Sequence, residues 1–262
     1  MNSIRFKIIG SLLSIFVLGA VPLFVVTGLS RQSLVDSAGF SRKELAQEIL
    51  NRIELDVYTR MSDIQVTAEL QENIQPLISS GSYYDSLTKI ERDIEITKID
   101  SRWIDASTED EHLERVPSIE NSRLSKLLKA QFIDSLQDKY GYKVINEIIA
   151  TDRYGATVAF TDKTSDYYQA DELWWKRAKE AGNYIGHVEF DDSSNSFVLP
   201  VSFSVFDEEG NFSGVYKVGF SNDQIIQEIT YIASQYPSQT IILSNNSGEL
   251  IHSTKTYNFL GA

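Results

Sequence analysis

The residues best suited to chemistry in this chain crowd into Asp166-Tyr-Tyr-Gln-Ala-Asp-Glu-Leu-Trp-Trp-Lys-Arg-Ala178. Two tyrosines, two adjacent tryptophans and a glutamate there suit a binding wall, because aromatic rings bury area while keeping a polar handle. Tyr167, Tyr168, Glu172, Trp174, Trp175 and the later Asp207 are the candidate ligand-binding residues. The plainer readings stand beside them. Glu172 has the profile of an exposed helix carboxylate, and Asp207 that of a turn residue bonding its own backbone. Neighbours on a helix point about 100° apart, so one tryptophan packs; Trp174 is the one expected in the pocket. Reaction chemistry finds less support. His112, His187 and His252 are scattered, and there is no Cys and no His-Glu-x-x-His pair. Asp191-Asp192 and Glu109-Asp110-Glu111 lack the alternating spacing and glycine of a calcium loop. No nucleophile elbow, phosphate loop or dinucleotide fingerprint occurs, so no catalytic residue, metal or cofactor is expected.

Strands and helices must position this segment. Val144 to Ile149 and Ala156 to Phe160 are β-rich around the turn Asp152-Arg-Tyr-Gly155, which predicts a hairpin. A helix is predicted across Asp166 to Ala178, ending near Gly182. Strands follow at Ile185 to Phe190, Phe197 to Phe206 and Val215 to Phe220, parted by the polar turns 191–196 and 207–211. Ser221 with Gln224 forms a capping box for a helix to about Gln235. The order gives an α+β domain: an antiparallel sheet with one face covered by helices.

Upstream, Leu45, Ile49, Ile53, Val57, Met61, Ile64 and Ala68 recur in steps of four or three, one stripe of a long amphipathic helix over 31–70. The stripe packs on its own domain or pairs with a second subunit, so a homodimer is admitted. Gln71 to Ile78 extends helical character past Pro76, and Ser79-Ser-Gly-Ser82 reads as a break. Residues 85–99 read as weakly helical, 103–117 as acidic and irregular, and Ser122 to Tyr140 as an amphipathic helix.

Ile8 to Leu29 carries no charge in 22 positions, enough for a helix to cross a hydrocarbon core of roughly 30 Å. Arg5 and Lys7 precede it, which keeps residues 1–7 cytoplasmic and exports the remainder. The run exceeds a signal peptide's apolar region of about 7–15 residues, and an uncleaved single-pass anchor in the inner membrane is expected. Setting Arg5 and Lys7 aside from 24 basic residues leaves 22 against 37 acidic ones, a net charge of −15. That balance opposes nucleic-acid binding and docking on anionic lipid. The absence of cysteine is unremarkable where about 230 residues can build an ordinary core.

The long helix after the anchor, Asp152-x-x-Gly155, the Tyr-rich segment with Trp174-Trp175, Pro200-Val201, Asp207-x-x-Gly210 and Gly214-Val215 stand in an order that resembles Cache-type extracytoplasmic sensor domains. These PAS-like domains occur on bacterial chemoreceptors, sensor histidine kinases and cyclic-dinucleotide enzymes. The resemblance implies a PAS-like module over 71–235 that binds a small molecule, and no enzyme activity in the chain itself. Thr240 to Leu243, Asn245-Asn-Ser-Gly248 and Leu250-Ile251 look like the first hairpin of a second module, incomplete at 236–262. A second membrane helix and an output domain, usual in such receptors, are not in the sequence, so the chain is expected to be the N-terminal part of a receptor. In the amino-acid-binding branch a Tyr-x4-Arg-x-Trp-Tyr pattern lines the pocket. Tyr167 and Trp174 match it, Trp175 replaces the second Tyr, Glu172 replaces the Arg, and Gly219 stands where an aspartate belongs. Glu cannot grip a carboxylate, so a cationic, hydroxylated or neutral ligand is expected. The alternative is an interaction protein that uses the long helix and acidic surface without a ligand.

Overall fold

The computed structural model describes residues 2–105, 115–191, 196–236, 240–244, 248 and 250–255, and for 2–29, 32, 34–36, 38, 191, 196 and 224 the backbone alone. Two units divide the chain, Met1–Arg52 and Ile53–Ala262. Helix α1 (Asn2–Ala68) is continuous through the stretches expected as an anchor and as a separate long helix. No helix among the described residues is long and apolar enough to cross a membrane. The expected span, 8–29, falls where only backbone is described. The acidic run 109–111 and the turn residues 192–195 and 245–247 lie outside the described residues.

In the second unit, α1 is followed by α2 (Gln71–Asp85), α3 (Lys89–Asp105), α4 (Arg115–Glu120) and a helical run made of α5 (Arg123–Leu128), a π-helical turn (Lys129–Asp134) and α6 (Ser135–Tyr140). Then come β1 (Ile145–Asp152), β2 (Thr157–Phe160), α7 (Leu173–Ala181), β3 (Asn183–Ile185), β4 (Glu189–Asp191), β5 (Ser196–Phe206), β6 (Phe212–Ser221) and α8 (Asn222–Gln235). A last hairpin joins β7 (Ile242–Ser244) to β8 (Leu250–Ser253).

The main sheet is antiparallel with order β2-β1-β6-β5-β3, and β4 also pairs with β5. Side chains alternate between its faces. Ile148, Ala150, Val201, Phe203, Val205, Tyr216, Val218 and Phe220 meet Val57, Met61, Ile64 and Ala68 of α1, Ile74 and Leu77 of α2, and Leu124 and Leu128 of α5 in the main core. Phe203 and Tyr216 oppose each other in register with stacked rings 5.5 Å apart. The opposite face is not bare, as a one-sided sheet would have it. Helix α7 lies on it through Trp174, Trp175 and Ala178 against Val215, and the Ser202 and Ser204 hydroxyls donate to the carbonyls of Trp174 and Ala178.

Four local expectations are corrected. Ser79-Ser-Gly-Ser82 continues α2, because Gly81 opens the helix surface to the Arg153 side chain; a Cβ there would stand 2.7 Å from Arg153 Nε. Residues 166–172 form no helix. Their backbone runs beside the β1–β2 hairpin instead, with Thr157 N donating to Tyr167 O and Gln169 N to Gly155 O. The strand expected at 185–190 is two short ones, with Gly186 pressed against Pro200, its amide donating to the Pro200 carbonyl. Tyr84, Ile96, Trp103, Ile119, Ala156, Phe160 and Tyr167 build a second core that wedges α2, α3 and α4 against the hairpin. The stretch read as irregular from 103 thus begins inside α3, with Trp103 fully buried and its Nε1 donating to the Thr164 carbonyl at 2.8 Å.

The turn closing β1 and β2 is held from inside. Buried Asp152 accepts from the amides of Tyr154 (2.8 Å) and Ala156 (3.1 Å) on Oδ1 and from Ser80 Oγ (2.6 Å) on Oδ2. Burial pushes its carboxyl up to about 6, against the pull of those three donors. Gly155 adopts φ 82°, and a Cβ on it would lie 2.5 Å from the Ala170 nitrogen.

Trp103→Ala should cost about 3–5 kcal/mol in urea or thermal unfolding, since it empties a large site and strands the Thr164 carbonyl. The Asp152 carboxyl holds its proton more tightly folded than unfolded, so its contribution to stability falls as pH rises from about 4 to about 6 and stays low above that. Asp152→Asn keeps the acceptor for both amides and removes the charge. It should raise the unfolding free energy at pH 7.5 by about 2 kcal/mol, and the midpoint by roughly 4–8 °C, with a smaller gain at pH 4.5. Equal effects at both pH values would contradict this assignment.

Candidate functional site

Where α3, the β1–β2 turn, the 168–170 segment and α7 meet, a cleft of about 430 Å³ opens. Arg92, Asp93, Ile96, Thr97 and Asp100 line it from α3, Arg153 and Tyr154 from the turn, Tyr168 and Ala170 from the segment, and Trp175 and Lys179 from α7. Each group arrives by a local cause. Positions 92, 93, 96, 97 and 100 share one face of a 3.6-residue helix. Trp175 and Lys179 are one turn apart on α7 and therefore neighbours.

The walls are fixed by polar contacts. Asp100 Oδ1 accepts the amides of Tyr167 and Tyr168, each at 2.9 Å, which ties the segment to α3. Trp175 Nε1 donates to Thr151 Oγ1 at 2.9 Å, and Thr151 in turn donates to the Val215 carbonyl at 3.0 Å. Asp85 accepts from Arg153 and from the Tyr154 hydroxyl. The bond to Asp85 raises the Tyr154 hydroxyl's pKa, with burial adding to it. Burial raises that of Tyr168, with Asp171, Asp93 and Asp100 adding.

Cations rest on the ring faces. The Arg92 guanidinium carbon is 4.2 Å from the Tyr154 ring centre, and Lys179 Nζ is 4.7 Å from that of Trp175 and 5.1 Å from that of Phe212. Burial alone lowers the Lys179 pKa. The arrangement can hold a small polar molecule: rings give area, and charged groups of both signs fix its orientation. The lining residues contain no linked nucleophile and base of the kind a covalent reaction needs.

Of the residues singled out from sequence, Tyr168 and Trp175 line this cleft. Tyr167 is fully buried in the second core, its hydroxyl 3.1 Å from that of Tyr84. Trp174, the tryptophan expected in the pocket, packs on the sheet, with Lys217 Nζ 5.9 Å from its ring centre. Glu172 caps the start of α7 without a side-chain capping bond, and carboxylate oxygens of Asp166, Asp171 and Glu172 lie within 4.8 Å of one another. Asp207 closes its own turn, accepting from the Glu209 and Asn211 amides and the Asn211 side chain, which lowers its pKa. Sequence reasoning passed over Arg92, Asp93, Asp100, Arg153, Tyr154 and Lys179. Two signals were present: the helical spacing of 92 to 100, and the step of four from Trp175 to Lys179.

No family model matches the chain, and no curated protein matches it. Several solved structures do. The ligand-binding domain of the Campylobacter jejuni chemoreceptor Tlp3, in complex with L-norvaline, is 12% identical over 72% of this chain and 70% of that one, with a TM-score of 0.38. The ligand-binding domain of the Pseudomonas aeruginosa amino-acid chemoreceptor PctC, in complex with GABA, is 12% identical over 73% of this chain and 72% of that one, TM-score 0.36. The Escherichia coli DcuS sensor domain is 14% identical over 52% of this chain and 92% of that one, TM-score 0.31. The first two are ligand-binding domains and the third is a sensor domain.

Proposed function

We propose that the chain is a membrane-anchored, extracytoplasmic small-molecule sensor domain of Cache type, the N-terminal part of a bacterial signalling receptor, anchored through residues 8–29. The observation that carries the reading is the cleft of about 430 Å³, whose walls come from four separate segments and are lined by rings and charges. A volume of that order suits a metabolite-sized ligand. Such a site, assembled from separate elements, changes shape when they move, and a ligand that favours one arrangement shifts the population toward it. A coupling of about 1–3 kcal/mol is enough.

Ligand-free docking on a partner is the second reading. It is favoured by Ile90 and Ile94, one turn apart on α3 and 72% and 62% exposed.

The full chain, held in a detergent micelle, should show a higher unfolding midpoint with at least one member of a metabolite panel. A ligand at a hundred times its Kd adds about 2.7 kcal/mol, or roughly 5–10 °C. Tyr168→Ala should remove that shift, while Arg177→Ala, on an exposed ion pair of α7, should leave it. A panel without a hit, or a shift that survives Tyr168→Ala, would favour the docking reading.

A further inference from the structure

We propose that the cleft takes a small dianion, which bridges the guanidinium of Arg92 on α3 to the ammonium of Lys179 on α7. This rests on the sensor reading and adds the ligand's charge and the two groups that grip it.

Among the described residues the ion pairs occupy Arg52, Arg60, Arg123, Arg153, Arg177 and Lys217, and none involves Arg92 or Lys179. The cleft therefore contains two cations that make no ion pair among the described residues. Each lies on an aromatic face, Arg92 on Tyr154 and Lys179 on Trp175. A cation on a ring face keeps its N–H donors for another acceptor, and the guanidinium fork matches two oxygens of one acid group.

The acidic groups of the cleft do not supply that acceptor. Asp100 spends Oδ1 on the amides of Tyr167 and Tyr168, and Arg153 is engaged by Asp85 outside the lining. Asp93 adjoins Arg92 in sequence yet makes no ion pair with it among the described residues. Partial burial lowers the Lys179 pKa, and an anion beside the ammonium would favour its charged form. The two cations stand on different helices, so a dianion with oxygens for each satisfies both. A dicarboxylate and a phosphate share this chemistry.

The test uses the full chain in detergent at pH 8, with succinate, inorganic phosphate, acetate and putrescine added at matched ionic strength in chloride. Succinate or phosphate should raise the unfolding midpoint saturably, and acetate should not. The pair of dianions distinguishes a dicarboxylate from a phosphate source. Arg92→Gln and Lys179→Met, which keep the stems on their rings, should each weaken the apparent affinity at least tenfold. Lys179→Arg should retain most of it. Dianions no better than acetate, or an effect that survives both substitutions, would overturn the bridge. A putrescine shift lost in Tyr168→Ala would overturn it while leaving the sensor reading in place. A chain that answers neither these probes nor the metabolite panel would overturn both.

Discussion

Thr151 and Asp152, the last two residues of β1, send their side chains to opposite faces of the sheet, and the cleft's geometry follows from where they land. Asp152 turns inward to Ser80 of α2 and to the amides of its own turn. Thr151 turns outward to the Trp175 indole of α7. Two side chains thus fasten a helix to each face at one point of a strand that is itself paired on both sides. Strand alternation makes the division automatic; a slip of one residue would exchange the two partners. The carboxylate sits there against its own solvation, since burial outweighs three donors and holds its pKa near 6. Its place in the turn offsets that cost: without an acceptor at this point, the Tyr154 and Ala156 amides would lose their partner.

From that point the cleft is assembled outward. The closed turn projects Arg153 and Tyr154 toward α3, and Gly155 lets the 167–170 segment lie directly on the hairpin. Asp100 then takes two amides of that segment, which sets the distance between α3 and the sheet edge. Trp103, one turn further along α3, is locked by the Thr164 carbonyl and by the rings of Phe160 and Tyr167. No one element contains the site.

That distribution decides what could be read from the sequence. The strands of the main sheet were legible as β-rich runs parted by turn residues, and the start of α8 because Ser221 accepts from the Asp223 amide as a cap should. The helical run from Arg123 to Tyr140 showed in its apolar spacing. Ser79 to Ser82 misled because the composition of a turn was serving a packing need, the approach of Arg153 across Gly81. The 166–172 segment misled because helical composition lost to hydrogen bonds offered by Gly155 and Thr157, residues ten or more positions away. Trp175 lines the cleft and Trp174 does not, and the Trp175 indole is held there by Thr151. Arg92 and Asp100 carried the right spacing but no aromatic mark, and nothing local says which helix face meets a hairpin some fifty residues later.

The same layout says what a ligand in the cleft would act on. Helix α3 is joined to the turn by Arg92 on Tyr154, and α7 is joined to β1 by Trp175 on Thr151. A molecule that grips both helices therefore loads the end of β1 from two directions at once. That end is tied through Ser80 to α2, and α2 shares the main core with Met61, Ile64 and Ala68 of α1. A close-packed core has few intermediate arrangements, so a load applied there shifts which packing is populated rather than bending it by degrees. From cleft to α1 the contacts run through one strand end and one helix, by way of the half-buried Ser80–Asp152 hydrogen bond and the main core. A ligand held only by α7 would leave α3 and the turn unloaded, so under the proposed function recognition by both walls would be what turns binding into a signal.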